Sequence, residues 1–351
     1  MKRSIDYIIA DPEGNTTILV LSQVEISDYQ AVAKQLLEQE PQAEQVGFIK
    51  TDEKGSPVSM DMCGLEFCGN ATRAFGFYRS LLSDPPATEL SLTVSGCDHP
   101  LKGWIEPPEK IREGENHDRE AGGGNDGSDA GSGWARDADG YICGRVRVEM
   151  PVPTEIEPVT IPVNEEFADL VRRLVGAGAA EGAAESVGAA PSIQGRIVHM
   201  DGISHLVIPG ASDAVIREEG QETIGKLFRY IRDFIYETNT RDIPAFGVMF
   251  VDNAADRMNP IVYVRDVDTT YFEGSCASGS AASACAQATI DMAAGKKGAE
   301  AGLADAQKYT YRYRQPAGTL CIDVATKDGS ICGLQLYGGV RLSNVLQSEV
   351  E

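Results

Sequence analysis

The stretch Leu65–Tyr78 reads LEFCGNATRAFGFY, and it places Cys68 directly before a run of residues typical of a helix. Much later, Phe272–Ala288 reads FEGSCASGSAASACAQA, and Cys276 again precedes a helical run, this time rich in alanine. In both places small or polar residues follow the cysteine. The repetition predicts two similar units, each with one cysteine at the start of a helix.

A cysteine at a helix start has special surroundings, because the backbone N–H groups of the first turn lack partners and the helix dipole adds positive charge. Both effects stabilise a thiolate, so we expect the pKa of each thiol to be lowered. A substrate carboxylate can bind the same N–H groups. The alternative is that each cysteine is simply packed, because inert buried thiols are common. Finding the pattern twice favours a functional role.

Two opposed thiols suit a racemase, which must act on two mirror-image substrates. One thiolate removes the proton from the α-carbon, and the other thiol delivers a proton from the opposite side. The reverse reaction exchanges the two roles. We therefore interpret Cys68 and Cys276 as paired general acids and bases, a type of group that typically contributes about 10²–10⁴-fold to a rate.

The composition favours a small-molecule enzyme over a nucleic-acid or membrane protein. The 351 residues suffice for two domains, and a net charge of −22 argues against nucleic acid or an anionic membrane as partner. No stretch reaches the ~20 apolar residues that span a bilayer, and the N-terminal apolar run is too short for a signal sequence. We expect a cytoplasmic protein with a small, zwitterionic substrate, although acidity alone also aids solubility.

The cysteines show no metal-binding spacing. There are eight of them and only four histidines, and no CxxC pair occurs. We therefore predict no metal site and free thiols in a reducing compartment. A protein of another class, which oxidises its thiols or holds a soft metal, remains the alternative. The cysteines are Cys63, Cys68, Cys97, Cys143, Cys276, Cys285, Cys321 and Cys332.

Strands and single helices alternate in the first half, which indicates an α+β unit. A Gly-, Asp- and Asn-rich segment at about 108–140 breaks the pattern and is predicted to be a disordered insertion. The predicted strands are Ser4–Ala10, Thr16–Leu21, Gln45–Thr51, Pro57–Met62, Leu90–Ser95, Leu101–Ile105 and Arg145–Met150, with a helix at Tyr29–Glu38.

The second half repeats this plan after an Ala/Gly/Glu-rich patch at Gly178–Ala190. Glu222–Glu237 has apolar residues at helical spacing and is predicted to be a core helix. The predicted domains are 1–152, with 339–351 as a candidate addition, and 153–338. The predicted strands are Gly195–His199, His205–Ile208, Ala245–Val251, Ile261–Arg265, Tyr309–Arg314, Leu320–Thr326 and Ile331–Tyr337.

Together these stretches resemble the diaminopimelate epimerase superfamily and, within it, the histidine racemases of staphylopine-type opine metallophore biosynthesis. The resemblance implies two pseudo-symmetric domains, each a sheet around a central helix, with the active site in the cleft between them. It also implies a cofactor-independent two-base reaction on histidine, and it leaves a homodimer open. The matching stretches are Gly14–Val20, Glu44–Ile49, Glu66–Thr72, Val94–Cys97, Glu273–Cys276 and Gln315–Gly318.

The resemblance assigns roles to individual residues. Cys68 and Cys276 are the acid/base pair. Two pairs of residues behind the cysteines offer backbone N–H groups to the substrate carboxylate. The remaining assigned residues line the pocket or contact the substrate amine or side chain. The substrate-binding residues are thus Asn15, Glu44, Gly69, Asn70, Glu273, Ala277 and Ser278.

The sequence departs from diaminopimelate epimerases near the second cysteine. Those enzymes carry a Glu-Arg pair that binds the distal end of their substrate, whereas Glu273 is followed by Gly274. Ile203 also stands where an asparagine is expected. A second zwitterionic group would then lack partners, at a cost of about 1–3 kcal/mol per group. This disfavours diaminopimelate epimerase as the alternative function, with a proline racemase-like activity weaker still.

Some residues near the motifs have ordinary interpretations. Glu66 is expected to be a capping or solvent-facing group, and His205, before an apolar strand, a satisfied core histidine. Cys63, Cys97 and Cys285 lack a helix start with small residues behind them, so they are predicted to be packing residues.

Overall fold

The computed structural model of the protein describes residues 2–106, 136–176, 191–300 and 306–350. The chain divides into two compact units, with Met1–Met150 and Gln335–Glu351 in unit 1 and Pro151–Leu334 in unit 2. These units are defined by contacts within the structure, whereas the domain limits given above stay a prediction. The segments 107–135 and 177–190, which hold most of the predicted insertion and of the Ala/Gly/Glu-rich patch, lie outside the described residues.

The described residues of unit 1 begin with seven paired strands and two helices. Neighbouring strands pair in chain order from β1 to β7; the β2–β3 and β4–β5 pairs are parallel and the others antiparallel. The elements are β1 (Arg3–Asp11), β2 (Thr17–Val20), a 3₁₀ turn (Ile26–Asp28), α1 (Tyr29–Gln39), β3 (Gln45–Thr51), β4 (Pro57–Met62), α2 (Gly69–Leu81), β5 (Glu89–Val94), β6 (Leu101–Glu106) and β7 (Ile142–Met150).

Unit 2 contains the next nine strands and three helices. Strands β8 to β13 pair in chain order, β10–β11 in parallel and the others antiparallel, and β15 pairs with β14 and β16. The elements are β8 (Glu155–Pro162), α3 (Ala168–Val175), β9 (Ser192–Met200), β10 (Ile203–Pro209), α4 (Asp213–Thr238), β11 (Ala245–Asp252), β12 (Arg257–Val264), a 3₁₀ turn (Arg265–Val267), β13 (Thr269–Phe272), α5 (Ala277–Ala293), β14 (Ala299–Glu300), β15 (Gln307–Arg314) and β16 (Thr319–Lys327).

Two further strands complete unit 1. Strand β17 (Ser330–Leu342) starts in unit 2 and ends in unit 1, where it pairs with β7 and β1. Strand β18 (Leu346–Val350) pairs antiparallel with β1. Because β17 joins the first and seventh strands, the sheet of unit 1 closes around α2, whose side chains are nearly all buried.

Helix α5 has the corresponding place in unit 2. It packs against β9, β10, β11, β15 and β16, and most of its residues are buried. The small Ala, Gly and Ser side chains of α5 allow these strands to approach it closely. The predicted α+β fold, with a sheet around a central helix in each half, is confirmed.

The predicted core helix of unit 2 begins earlier than its apolar spacing indicates. Ser212 caps it by accepting a hydrogen bond from the N–H of Val215 at 3.4 Å. Gly220 then interrupts it with a φ of 73°, a backbone conformation that favours glycine. The predicted core side chains are buried: Ile224, Leu227, Phe228, Ile231 and Ile235.

Residues 136–140, at the end of the predicted disordered insertion, are described and form a turn. The N–H of Asp137 donates to the carbonyl of Tyr141 at 3.0 Å, and Arg341 binds the Asp137 carboxylate at 2.6 Å. The prediction of disorder is wrong for these residues, because hydrogen bonds and an ion pair with β17 hold them.

Candidate active site

Cys68 is the N-cap residue of α2, so its predicted position at a helix start is confirmed. Its backbone is extended, and its sulfur accepts a hydrogen bond from the N–H of Ala71 at 3.4 Å. The Thr72 hydroxyl donates to the Cys68 carbonyl at 2.7 Å. Gly69 packs closely here, because a Cβ atom would lie 2.7 Å from the Met150 sulfur and would displace that side chain.

A polar cluster from β2 and β3 surrounds the Cys68 sulfur. The Asn15 amide donates to the Glu44 carboxylate at 2.9 Å. The Gln45 amide nitrogen lies 2.6 Å from Asn15 Oδ1, 2.8 Å from Thr17 Oγ1 and 3.2 Å from Cys68 Sγ. The structure therefore brings the predicted residues Asn15 and Glu44 to Cys68 through Gln45, which the sequence analysis missed.

The pKa of Cys68 is raised, which contradicts the expectation of a lowered value. Loss of water around the sulfur is the largest cause, and the charge of Glu66 adds to it. The N–H groups of Ala71 and Asn70 and the amide of Gln45 do lower the pKa, as a helix start should, but they do not outweigh burial.

Glu44 lies at the surface, where its carboxylate contacts the Asn15 amide. Burial raises its pKa, the hydrogen bond from Asn15 lowers it, and the nearby charge of Asp11 raises it again. Glu66 is exposed as well, and its carbonyl accepts a hydrogen bond from the Ser95 hydroxyl at 2.8 Å. This agrees with the solvent-facing interpretation of Glu66.

Cys276 is the N-cap residue of α5 and repeats the geometry of Cys68. Its sulfur accepts a hydrogen bond from the N–H of Gly279 at 3.3 Å, and the Ser280 hydroxyl donates to its carbonyl at 2.7 Å. Ala277 is buried in the first turn. A Cβ atom at position 279 would clash with the sulfur of Met249, so a small first turn is required here as well.

Two side chains, Ser278 and Glu273, contact the Cys276 thiol. The Ser278 hydroxyl lies 3.6 Å from its sulfur and 3.0 Å from His205 Nε2. Burial raises the pKa of Cys276 well above its usual value, and the charge and hydrogen bond of Glu273 raise it further. Ser278 and Gly279 lower it by smaller amounts. The expectation of a lowered pKa is therefore wrong for this cysteine too.

His205 is fully buried, and burial lowers its pKa to about 3, so its imidazole is neutral. It is a core histidine, as expected, but the expectation that it is satisfied is wrong: its Nε2 contacts Ser278 beside the cysteine, whereas its Nδ1 is buried without a hydrogen-bond partner. The sequence could not show this contact, because β10 and α5 are distant in the chain.

The eight cysteines all lie in the described residues, and none of them forms a disulfide bond. Within the part of the chain that the structure describes, no three His, Cys, Asp or Glu side chains are grouped so that they could hold a metal ion. No helix among the described residues combines the length and the apolar character needed to cross a bilayer.

The family model described as "Histidine racemase CntK N-terminal domain" matches residues 4–113 and 184–345, which include both cysteine-capped helices. The chain belongs to the histidine racemase family. It is therefore an isomerase that racemises an amino acid.

Individual relatives agree with this assignment to the histidine racemase family. The histidine racemase of Staphylococcus aureus is 23% identical over 286 residues, which cover 80% of this chain and 78% of that protein. The histidine racemase of Fusobacterium nucleatum is 26% identical over 286 residues, with coverage of 79% of each chain. Among solved structures, a hydroxyproline epimerase from Agrobacterium vitis has a TM-score of 0.49 at 9% identity, covering 99% of this chain and 91% of that one.

Proposed function

We propose that the protein interconverts L- and D-histidine, without a cofactor, by transferring the α-proton between Cys68 and Cys276. The observation that carries this proposal is the repeated half-site. Each cysteine caps a buried helix, accepts a hydrogen bond from the third residue of that helix and stands before a small first turn. Two equivalent thiols suit a reaction that must run in both directions with exchanged roles.

The proposed chemistry needs one thiolate and one thiol at the start of each turnover. The thiolate takes the proton from the α-carbon and becomes a thiol, while the other thiol gives its proton to the opposite face and becomes a thiolate. First-turn N–H groups behind each cysteine stabilise the negative charge that develops on the substrate carboxylate. Both half-sites must therefore reach one α-carbon, in a site that excludes water.

The choice of histidine rests on the relatives and on the residues around Cys68. Glu44 and Asn15 form a carboxylate and amide pair that can accept and donate hydrogen bonds, as an imidazole requires. Glu273 is a proposed substrate-binding residue, and no Arg follows it. We further propose that D-histidine is made in the cytoplasm and supplied to an opine-type metallophore.

The proposal is tested by following α-proton exchange by NMR in D₂O, with reductant and no added cofactor. L-histidine, L-proline and LL-diaminopimelate are offered separately. We expect exchange and inversion with histidine alone. Exchange only with diaminopimelate or proline would overturn the substrate, and no exchange would return the protein to the thiol redox or metal-binding class.

The roles of the cysteines are tested with Cys68→Ser and Cys276→Ser. We expect each substitution to lower histidine racemisation by about 10²-fold or more, because each removes one general acid/base. Cys285→Ser is a matched control, because Cys285 is a buried thiol on the same helix as Cys276 but away from its start. Racemisation within a few-fold of wild type in either active-site variant would refute the two-cysteine mechanism.

A further inference from the structure

The turn between β15 and β16 holds the backbone of Cys276 in a closed ring of hydrogen bonds. The N–H of Cys276 donates to Gln315 Oε1 at 2.7 Å. Gln315 Nε2 donates to the Ser280 hydroxyl at 3.1 Å, and that hydroxyl donates to the Cys276 carbonyl at 2.7 Å. The backbone N–H of Cys276 is therefore fixed by Gln315, and its carbonyl is fixed by Ser280.

The orientation of the Gln315 amide is determined by its partners. The Cys276 carbonyl can only accept, so the Ser280 hydroxyl uses its proton there and must accept from Gln315. The amide oxygen then faces the Cys276 N–H, which can only donate. Gln315 and Ser280 are both buried, so water does not compete for these bonds.

Gln315 accepts the hydrogen bond of the N-cap N–H, a role that a residue of the helix itself usually has. In a capping box, the third helical residue reaches back to the N–H of the N-cap residue. The third residue of α5 is Gly279, which has no side chain and must stay small because of Met249. A glutamine from another strand supplies the missing acceptor instead.

A second contact ties the same turn to the cysteine loop. The N–H of Ala317 donates to the carbonyl of Gly274 at 2.9 Å, and the N–H of Gln315 donates to Gly318 within the turn at 2.7 Å. The loop before Cys276 is therefore held by backbone as well as by side chain, and Gln315 is the polar side chain that reaches the cysteine itself.

We propose that Gln315 is the positioning residue of Cys276, which sets where the thiol stands when it exchanges a proton with the substrate. The effect of Gln315 on catalysis rests on the proposed function. Its effect on the position of the thiol does not. The effect is local to unit 2. At Cys68 a glutamine, Gln45, contacts the sulfur instead, at 3.2 Å.

The test compares Gln315→Leu and Gln315→Glu with the control Gln307→Leu. Leucine has a similar size but makes neither hydrogen bond. Glutamate keeps an acceptor for the Cys276 N–H and adds negative charge. Gln307 lies at the other end of β15, and its Oε1 also accepts from a backbone N–H, that of Gly298 at 3.1 Å. The control therefore removes a similar contact far from the cysteine.

Two readouts are measured in the full-length protein. The first is kcat and KM for histidine in both directions. The second is the rate at which iodoacetamide alkylates Cys276 and Cys68 over a pH series, resolved by peptide mass spectrometry. We expect Gln315→Leu to lower kcat by about 10²-fold with a far smaller change in KM, because a displaced catalytic group slows the chemical step.

Alkylation separates positioning from loss of stability. In Gln315→Leu we expect Cys276 to react severalfold faster, because its loop is released, and Cys68 to react as in wild type. In Gln315→Glu we expect the alkylation of Cys276 and the activity to shift to higher pH, because a nearby carboxylate disfavours the thiolate. Gln307→Leu should change neither readout.

Unchanged alkylation of Cys276 and unchanged kcat in both Gln315 variants would overturn the proposal, as would equal changes at Cys68. If Gln315→Leu does not fold, Gln315→Glu decides the matter, because positioning requires that kcat and the alkylation of Cys276 change while Cys68 reacts as in wild type. If Cys276→Ser keeps racemisation, the proposed function fails, and the alkylation rates still decide whether Gln315 positions the thiol.

Discussion

Gln45 and Glu273 contact the two cysteines in chemically opposite ways. The Gln45 amide presents an N–H group to the Cys68 sulfur, which favours a thiolate. Glu273 presents a carboxylate to Cys276, which favours the protonated thiol. The two half-sites therefore share a backbone geometry but differ in the side chain that contacts the sulfur, an amide at Cys68 and a carboxylate at Cys276.

Replacing Gln45 with Leu should raise the pH at which Cys68 becomes reactive. A hydrogen bond to a charged group is worth about 1.5–3 kcal/mol, and one pKa unit is about 1.4 kcal/mol, so we expect an upward shift of about one to two pH units. The measurement is the pH dependence of iodoacetamide alkylation at Cys68. The same reactivity midpoint as wild type would show that the amide does not stabilise the thiolate.

Gln23→Leu is the control for this prediction. Gln23 belongs to the same unit, and its amide donates to the carbonyl of Ile49 at 3.2 Å, away from the cysteine. We expect it to leave the alkylation of Cys68 unchanged.

The position of Gln45 explains why the sequence analysis missed it. Cys68 can be recognised in the sequence because its motif is local: the residues next to it indicate the start of a helix. Gln45 reaches the same site because β2 and β3 pair in parallel, which places Thr17 opposite Gln45. That register is a tertiary property. The pKa prediction was wrong for the same reason, because burial by distant strands outweighs the N–H groups of the local helix.

At the scale of elements, both active-site helices begin against a methionine. Gly69 lies against Met150, and Gly279 lies against Met249. A methionine is flexible enough to fill an irregular gap, yet at these positions it leaves no room for a Cβ atom. The small first turns that the sequence shows behind each cysteine therefore also reflect packing, in addition to access for a ligand.

Gly279→Ala should destabilise the protein by about 1–3 kcal/mol, because the added methyl group overpacks the contact with Met249. Combining it with Met249→Ala should recover part of this loss, since the clash is then removed. Urea denaturation of the wild type, both single variants and the double variant gives the coupling free energy. If the two single losses simply add, the contact does not account for the requirement for glycine.

The sequence predicted most strands and the core helices, because their apolar periodicity is strong. It gave no signal for β8, α3, β13 and β18. Strand β8 contains Pro158 and alternates weakly between buried and exposed residues, and β13 is short with exposed aromatic side chains. Such elements are defined by the neighbours with which they pair rather than by their own composition.

At the scale of the whole molecule, the net charge of −22 should weaken the folded state through self-repulsion. We expect the melting temperature to rise with sodium chloride up to physiological ionic strength, where charges beyond about 8 Å are screened. Most of the ion pairs are solvent-exposed and contribute little, so their screening should not cancel the gain.

Differential scanning calorimetry over a salt series measures this effect. Potassium chloride at matched ionic strength is the control, because screening does not depend on which monovalent cation is used. A melting temperature that falls with salt would mean that the ion pairs outweigh the repulsion.

Strand β17 has a consequence for how the protein is made. Unit 1 contains β1 to β7, but its sheet closes only with residues that follow unit 2 in the chain. The ribosome must therefore synthesise the whole of unit 2 before the sheet of unit 1 can close. During that time the nascent first 150 residues have an open sheet edge, which is a site for aggregation or chaperone binding.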